Sequence, residues 1–541
     1  MTAPPTPSAQ TPAGPTNASA ASRWIVAVSV VFGALMSVMD VSVVNVALPH
    51  MMGSFGRTLS EITWVATSYS IAEIIMATMA GWWSTVIGRK RLYIASFVIF
   101  TIGSVLAGTA RSFGQILVYR TIQGIGGGSL IPVSLAILRE TFPAEEQGLA
   151  MSIYGMGVVL APAIGPVLGG WLTDQYGWPW IFYVNIPFAI AGIAMVSVFL
   201  EDPPYLRRGI RKIDWVGIAL LTTGLTGTQV VLERGQELDW FASQWIVIAT
   251  AITAVSMIGL ILWERRVPEP VLDLRLLRDG PLSAGSSIGL LFGIALYGST
   301  FLLPAMLQTL LGYTAYHAGV TLLPRALTIF AMMPVVGWLY NRFDPRLLII
   351  VGLLLIYVSF RELAHLSADV EFWSLLPILV VMGLGMPFMF VTLTAVSVST
   401  VPREHVTAAS SIYTLSRRVG GNIGYAVLAT VIERRSQFHR SHLVANVTST
   451  NPAYATSHSQ LAALLAQRGV PRALAAQKAT GIVNAFVNQQ AGLMAYNDAA
   501  WVVGLLFLAT LPLLLLFPGK RAASAPGGEA GAGAAALREP A

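Results

Sequence analysis

Cysteine is absent and charge is scarce. None of the 541 residues is Cys, which excludes a disulfide framework, a thiolate metal centre and a cysteine nucleophile. It also leaves the redox compartment unreadable. Charged residues make up 11%, against about 25% in a soluble protein. So little charge cannot cover a soluble surface of this size, which argues against an ordinary soluble enzyme. A disordered chain is excluded as well, because disorder needs low hydrophobicity and high charge. No His, Asp and Glu residues cluster with metal-ligand spacing, and no Ser has a defensible His–Asp arrangement. No basic stripe with interleaved aromatics is present, so nucleic acid is not an expected partner.

What remains is apolar. Hydrophobic residues reach 55% and the mean hydropathy is +0.67. Between a Pro/Ala/Ser/Thr-rich stretch at 1–22 and an Ala/Gly-rich stretch at 519–541, both read as disordered tails, lie long apolar runs. They fall near 24–48, 62–83, 92–110, 115–138, 149–172, 180–200, 215–232, 245–263, 282–307, 318–339, 347–366, 373–396, 406–432 and 500–517. Each can cross a hydrocarbon core of about 30 Å as a helix. The expected fold is all-α and integral to the membrane, with about fourteen spans.

Charge in the short loops orients them. Arg89, Lys90, Arg91, Arg139, Arg207, Arg208, Arg211, Lys212, Arg265, Arg266, Arg275, Arg278, Arg342, Arg346 and Arg403 fall on one side; only Arg57, Arg111, Arg234 and Arg361 fall on the other. Lys and Arg concentrate in cytoplasmic loops, so both termini are expected in the cytoplasm and the long 433–498 connection outside. The net charge of +7 and pI near 9.6 follow from the same bias. A repeat supports the layout. Gly81, Thr85, Gly88, Arg89 and Lys90 after the second run match Gly337, Asn341, Asp344 and Arg346 after the tenth. Two parallel six-helix halves (23–202 and 267–518) joined by an inserted two-helix linker (203–266) fit this repeat.

Ionisable groups inside the runs cost at least about 2.5–3.5 kcal/mol each at mid-helix. The candidates are Asp40, Glu73, Arg120, Arg325, Arg417 and Arg418. At about 1.5 Å of rise per residue, Asp40 and Arg120 lie at similar depth in the outer half, close enough in height to pair. Glu73 lies a turn or two deeper, where an apolar setting favours proton exchange near neutral pH. A proton relay or a cation site is one reading; a permanent Asp40–Arg120 pair that locks helices is the other. Arg418 and Arg361 read as structural. Trp64, Tyr69, Gln123, Tyr154, Tyr297, Phe301, Gln308 and Arg417 could line an apolar cavity, although each single aromatic reads better as a packing or interface residue. Gly124–Gly128 and the run Ala161–Gly170 read as close-packing and kinked helix.

At this point the motifs resemble a family. Met39-Asp40 through Asn45 to Pro49, Arg120 through Gln123-Gly124 to Gly126, Gly165-Pro166 through Gly169-Gly170, and Gln308 through Gly312-Tyr313 stand in order in the appropriate runs. Together they resemble the fourteen-helix drug:proton antiporters of the major facilitator superfamily, EmrB/QacA group. Two further stretches, Val231–Gln244 and 433–498, are similar to the EmrB type. The resemblance implies a major facilitator fold arranged 6+2+6. It also links Arg120 to proton coupling, which together with the buried charges makes Asp40, Glu73 and Arg120 the expected coupling region, and it implies conformational motifs at Gly81, Gly88, Arg89, Lys90, Gly165, Pro166, Gly169 and Gly170. Thr85 stands where the family's loop motif usually has Asp.

The function expected is proton-driven export of amphipathic or toxic compounds from the bacterial inner membrane. The proton gradient is the energy source and no cofactor is needed. Membrane lipids, amphipathic substrates, a periplasmic adaptor and an outer-membrane channel are the implied partners. A narrow-range transporter (nutrient uptake or siderophore export) is the competing reading; a membrane-embedded enzyme is more remote.

Overall fold

Inside hydrocarbon no water satisfies the backbone, so the chain must close its own hydrogen bonds. The computed structural model does so with helices throughout, and no strand occurs among the described residues. Those residues are 20–516 apart from 144, 202–212, 269, 368–369, 446 and 449. The expected tails therefore lie almost wholly outside them, as does the start of the linker with Arg207, Arg208, Arg211 and Lys212.

The first half comprises α1 (Ala20–Phe55), α2 (Leu59–Ile62), α3 (Trp64–Ile87), α4 (Arg89–Gly108), α5 (Phe113–Gly128), α6 (Leu130–Thr141), α7 (Gln147–Tyr176), α8 (Trp180–Tyr183) and α9 (Asn185–Phe199). Two helices follow, α10 (Trp215–Arg234) and α11 (Gln244–Glu264). The second half comprises α12 (Gly280–Thr309), α13 (Ala315–Arg342), α14 (Pro345–Leu363), α15 (Phe372–Ser397), α16 (Val406–Val444), α17 (Pro452–Gln467) and α18 (Arg472–Leu508).

Packing repeats between the halves. α1 lies on α7 and α9, while α3 and α4 lie on α5. Likewise α12 lies on α16 and α18, while α13 and α14 lie on α15. The halves meet along two seams, α7 with α13 and α3 with α16. α10 and α11 pair with each other, and α10 covers the α3–α16 seam. Asp214, Asp279 and Asp344 cap α10, α12 and α14 by accepting backbone N–H bonds, a role suited to a short acceptor side chain. Gly88, at φ +89°, turns the chain between α3 and α4, where a Cβ would be strained.

Apolar length and helix continuity bear on two of these expectations. Apolar length marks eleven spans among the described residues, or twelve when the two parts of α7, bent by 43°, count as one. The other two expected runs coincide with α14 and the first part of α16. α14 carries Arg346, Arg361 and Glu362, and α16 carries Arg417 and Arg418. Both nevertheless pack within the second half. The 433–498 connection is not a loop. α16 continues unbroken for 39 residues to Val444 and α18 starts at Arg472. A helix of that length spans about 58 Å, nearly twice a hydrocarbon core. Asp498 of α18 ties the base of this extension, accepting from Arg435 Nε at 2.5 Å and His439 Nε2 at 2.7 Å.

Candidate functional site

Asp40 and Arg120 are in contact, as their depths along α1 and α5 require. Arg120 donates through Nη1 to Asp40 Oδ2 at 2.5 Å and to Gln123 Oε1 at 2.7 Å. Its Nε donates to the Val65 carbonyl at 3.0 Å. Both side chains are fully buried. Asp40 Oδ1 accepts from Gln123 Nε2 at 2.7 Å and Asn185 Nδ2 at 3.2 Å. Ser104 accepts from both amides. Such a carboxylate is paired and nearly saturated with donors, which is how a charge survives away from water. Two donor or acceptor atoms, Arg120 Nη2 and Asn185 Oδ1, make no hydrogen bond among the described residues.

Small residues make the cluster possible. A Cβ on Gly124 would lie 2.4 Å from the Tyr69 carbonyl, so α5 and α3 can touch only because that position is bare. Tyr69 is thereby held under Arg120, whose guanidinium carbon sits 4.2 Å from the ring centroid. Asn185, Ser104 and Ser37 were missed by sequence reasoning. Asn185 carried a usable signal, a lone amide in an apolar run where α8 gives way to α9.

Glu73 is not the lone carboxylate in an apolar setting that its position implied. Arg418 of α16 donates to both of its oxygens, at 2.6 Å each. Ser37 Oγ also donates to Oε1 at 2.8 Å. Ser37 in turn lies 3.4 Å from the Tyr69 hydroxyl, which donates to the Ser37 carbonyl at 3.3 Å. Arg418, read as merely structural, is therefore the cation that joins the second half to the first. A chain of contacts runs from Asp40 through Arg120, the Tyr69 ring beside its guanidinium, and Ser37 to Glu73 and Arg418.

The expected cavity residues divide. Tyr69 and Gln123 belong to the buried cluster. Trp64 faces α10, its ring 5.0 Å beneath Arg234. Gln308 is exposed at the end of α12, its amide bonded back to the Pro304 carbonyl. Tyr297 is 40% exposed beside Gly421. The Phe301 side chain lies outside the described residues. Tyr154 and Arg417 are buried where the halves meet. Arg417 lies 5.2 Å from the Phe390 ring centroid and 5.8 Å from that of Tyr413. The Tyr154 hydroxyl, Arg417 Nε and the hydroxyls of Ser410, Ser411 and Thr414 make no hydrogen bond among the described residues. Buried groups of this kind call for water or a ligand. Arg325 is half-buried on α13, and no hydrogen bond among the described residues joins it to either cluster.

The conformational motifs sit where helices cross. At the end with the basic loops, a Cβ on Gly81 would lie 2.6 Å from Ala408 Cα, and one on Gly337 would lie 2.6 Å from the Gly148 carbonyl. These two crossings occupy equivalent places on the two seams. Arg89 pairs with Glu140 and donates to the Arg403 carbonyl at 2.9 Å. Arg139 donates to the carbonyls of Val398 and Ser399, and Asn341 to that of Glu145. Lys90 Nζ caps the Ser197 carbonyl at 2.7 Å. Among the described residues Thr85 bonds only to the Trp82 carbonyl of its own helix, which is no brace to a neighbouring helix. The basic end of the halves is thus closed. In α7, Pro166 lacks the N–H that would reach the Pro162 carbonyl. Ser42 of α1 donates to that carbonyl at 3.2 Å. Gly165 and Gly169 face Ser42 and Val43 of α1, whereas Gly170 has only Val46 at 3.9 Å.

Two packed helical halves joined across a seam by the Glu73–Arg418 pair define a membrane transporter fold. A model of the Major Facilitator Superfamily matches residues 30–425, and the chain belongs to that superfamily. It is a multi-pass membrane protein. It is 32% identical to the multidrug export protein EmrB of Escherichia coli (strain K12), covering 91% of this chain and 94% of the relative. It is equally 32% identical to the fatty acid resistance protein FarB of Neisseria gonorrhoeae, covering 92% and 96%. The colistin resistance protein EmrB of Acinetobacter baumannii is 28% identical, with 91% and 95% covered. Among solved structures, the human organic anion transporter MFSD10 (TETRAN) superposes with a TM-score of 0.60 at 16% identity, covering 91% of this chain and 99% of its own. The proton:xylose symporter XylE gives 0.59 at 14%, covering 92% and 96%. These two likenesses concern the fold.

Proposed function

We propose that the protein is a proton-driven exporter of amphipathic or toxic compounds. The observation that carries this reading is the path from Asp40 to Arg418, because it links a buried carboxylate to the seam on which alternating access must turn. The export class itself is supported by the multidrug and fatty acid resistance relatives.

The mechanism follows from the charges. A proton on Glu73 removes one partner of the ion pair across the seam and weakens the hold of Arg418. A proton on Asp40 leaves Arg120 without its counter-charge. Either event favours a different arrangement of the halves, since an uncompensated buried charge is costly. Substrate binds near Tyr154 and Arg417, between the halves, and the rocking of the halves moves it across. The energy source is the proton gradient, with no cofactor. The basic end faces the cytoplasm, both termini are cytoplasmic, and the membrane is the bacterial inner one. The extension formed by α16, α17 and α18 then projects outward, where a periplasmic adaptor and an outer-membrane channel would engage it.

Purified protein in liposomes under an imposed pH gradient tests the reading, with ethidium, tetraphenylphosphonium and a fluorescent fatty acid as probes. Gradient-driven movement of at least one probe, lost in Asp40→Asn, is the expected result. Equal movement in Asp40→Asn would overturn the role of Asp40. No gradient dependence in the wild type, for any probe that moves, would overturn proton coupling.

A further inference from the structure

The stretch Val231–Gln244 has no part in the reading above, yet it lies over the functional seam. Its helix, α10, is bonded to both halves. Arg234 Nη2 donates to Thr63 Oγ1 at 2.9 Å, on the α3 side. On the α16 side, Thr430 donates to Gln236 Oε1 at 2.7 Å, and Trp240 Nε1 donates to Thr430 at 3.2 Å. Between these ties sits a carboxylate, Glu233, in the last turn of α10. It accepts from Gln229 Nε2 at 3.4 Å. Gln229 accepts from Asn422 of α16. Asn422 stands one helical turn from Arg418, which holds Glu73.

We propose that Glu233 is the outer proton acceptor of this transporter, feeding Glu73 along the polar file of Gln229 and Asn422. The inference rests on the proton-coupled reading and extends it to a residue outside both six-helix halves. Three features support it. Glu233 is half-buried at the end of the molecule opposite the basic loops, so protons from that side can reach it. Glu233 and Asn422 are linked through the Gln229 amide, and Asn422 lies four residues from Arg418 on α16, about 6 Å along the axis, where Arg418 holds Glu73 at 2.6 Å. Such groups hold water in an otherwise apolar seam. The basic end is closed by the Arg89, Arg139 and Asn341 contacts, so in this arrangement protons must come from the other side.

The groups facing Glu233 are Arg234 and Glu237 on its own segment and Tyr425 from α16. The step is a proton transfer only. Hydronium protonates the Glu233 carboxylate, and the proton passes through water to the Glu73 carboxylate, which returns Glu233 to its anionic form. A carboxylate relay of this kind speeds proton delivery, and its removal slows it without abolishing it.

Stopped-flow proton uptake by the purified full chain after an acid jump, read by a pH indicator, tests this without any substrate. Glu73→Gln/Arg418→Met identifies the part of the uptake that ends on Glu73. Glu233→Gln is expected to slow that part by about tenfold with its amplitude kept, and Glu233→Asp to restore the rate. A wild-type rate of that part in Glu233→Gln would overturn the proposal. If Glu73→Gln/Arg418→Met keeps the whole uptake, Glu73 is not the acceptor and the proposal fails, whereas unchanged gradient-driven transport in Asp40→Asn would fail the coupling reading separately. A lowered melting temperature in Glu233→Gln, with lost amplitude, would make Glu233 part of a strap and overturn the relay.

Discussion

Glu73 of α3 and Arg418 of α16 form a two-pronged ion pair, 2.6 Å on each prong, between residues 345 apart in sequence. Glu73 is fully buried, and Arg418 keeps 17% of its side chain exposed. It is the charged joint between the two halves. Breaking such a pair by removing one partner costs more than removing both. Glu73→Gln is expected to destabilise the protein by about 3–5 kcal/mol. The double variant Glu73→Gln/Arg418→Met is expected to recover most of that loss. Melting temperatures of the four proteins in the double-mutant cycle check it.

Arg120 uses its planar fork, since Nη1 serves Asp40 and Gln123 while Nε serves the Val65 carbonyl. Lysine keeps the charge but cannot make that pattern. Arg120→Lys is expected to fold, and to lower gradient-driven transport by at least about tenfold, as loss of charge-assisted bonds at a fixed geometry implies. Transport rate per folded molecule, normalised by size-exclusion recovery, is the measurement.

The closed basic end depends on bare backbone at Gly81 and Gly337. Because the chain contains no cysteine, a pair introduced at Glu145 and Asn341, whose backbone and side chain touch, can be read without background. A short bifunctional thiol reagent is expected to join the pair in high yield and to stop transport. Adding Gly81→Val is expected to lower that yield, because the side chain would meet Ala408. Unchanged yield would show that the α3–α16 crossing does not control the closed state.

Pro166 keeps α7 bent, and Ser42 satisfies the carbonyl that the missing N–H leaves open. Pro166→Ala restores the donor and permits a straighter helix. Stability is expected to change by less than about 1–2 kcal/mol, the range of ordinary substitutions, while the transport rate falls. Thermal melting beside a transport assay separates the two effects.

Much of the outline was legible in one dimension, because hydrocarbon imposes rules that act on short stretches. Long apolar runs mark spans, and loop cations mark one face. Constant rise per residue brought Asp40 and Arg120 to the same height, and they touch. The same arithmetic failed where a residue's direction mattered. Trp64 and Gln308 have suitable depth but turn toward the linker and toward the surface. The extension after Ile432 was also hidden, because its helix carries no apolar stripe long enough to distinguish it from a polar loop.

By itself, then, the sequence determined that this is a membrane protein of many helical spans, with two related halves and a few costly charges that need partners. Those consequences follow from solvation of backbone and side chain and need no knowledge of neighbours. Only the tertiary structure decided which charges pair. Glu73 found Arg418, not the Asp40 cluster, and Glu233 came to lie over the same seam. Such pairings depend on helix rotation and on which glycines let backbones approach, and neither is encoded in the hydropathy of a single run.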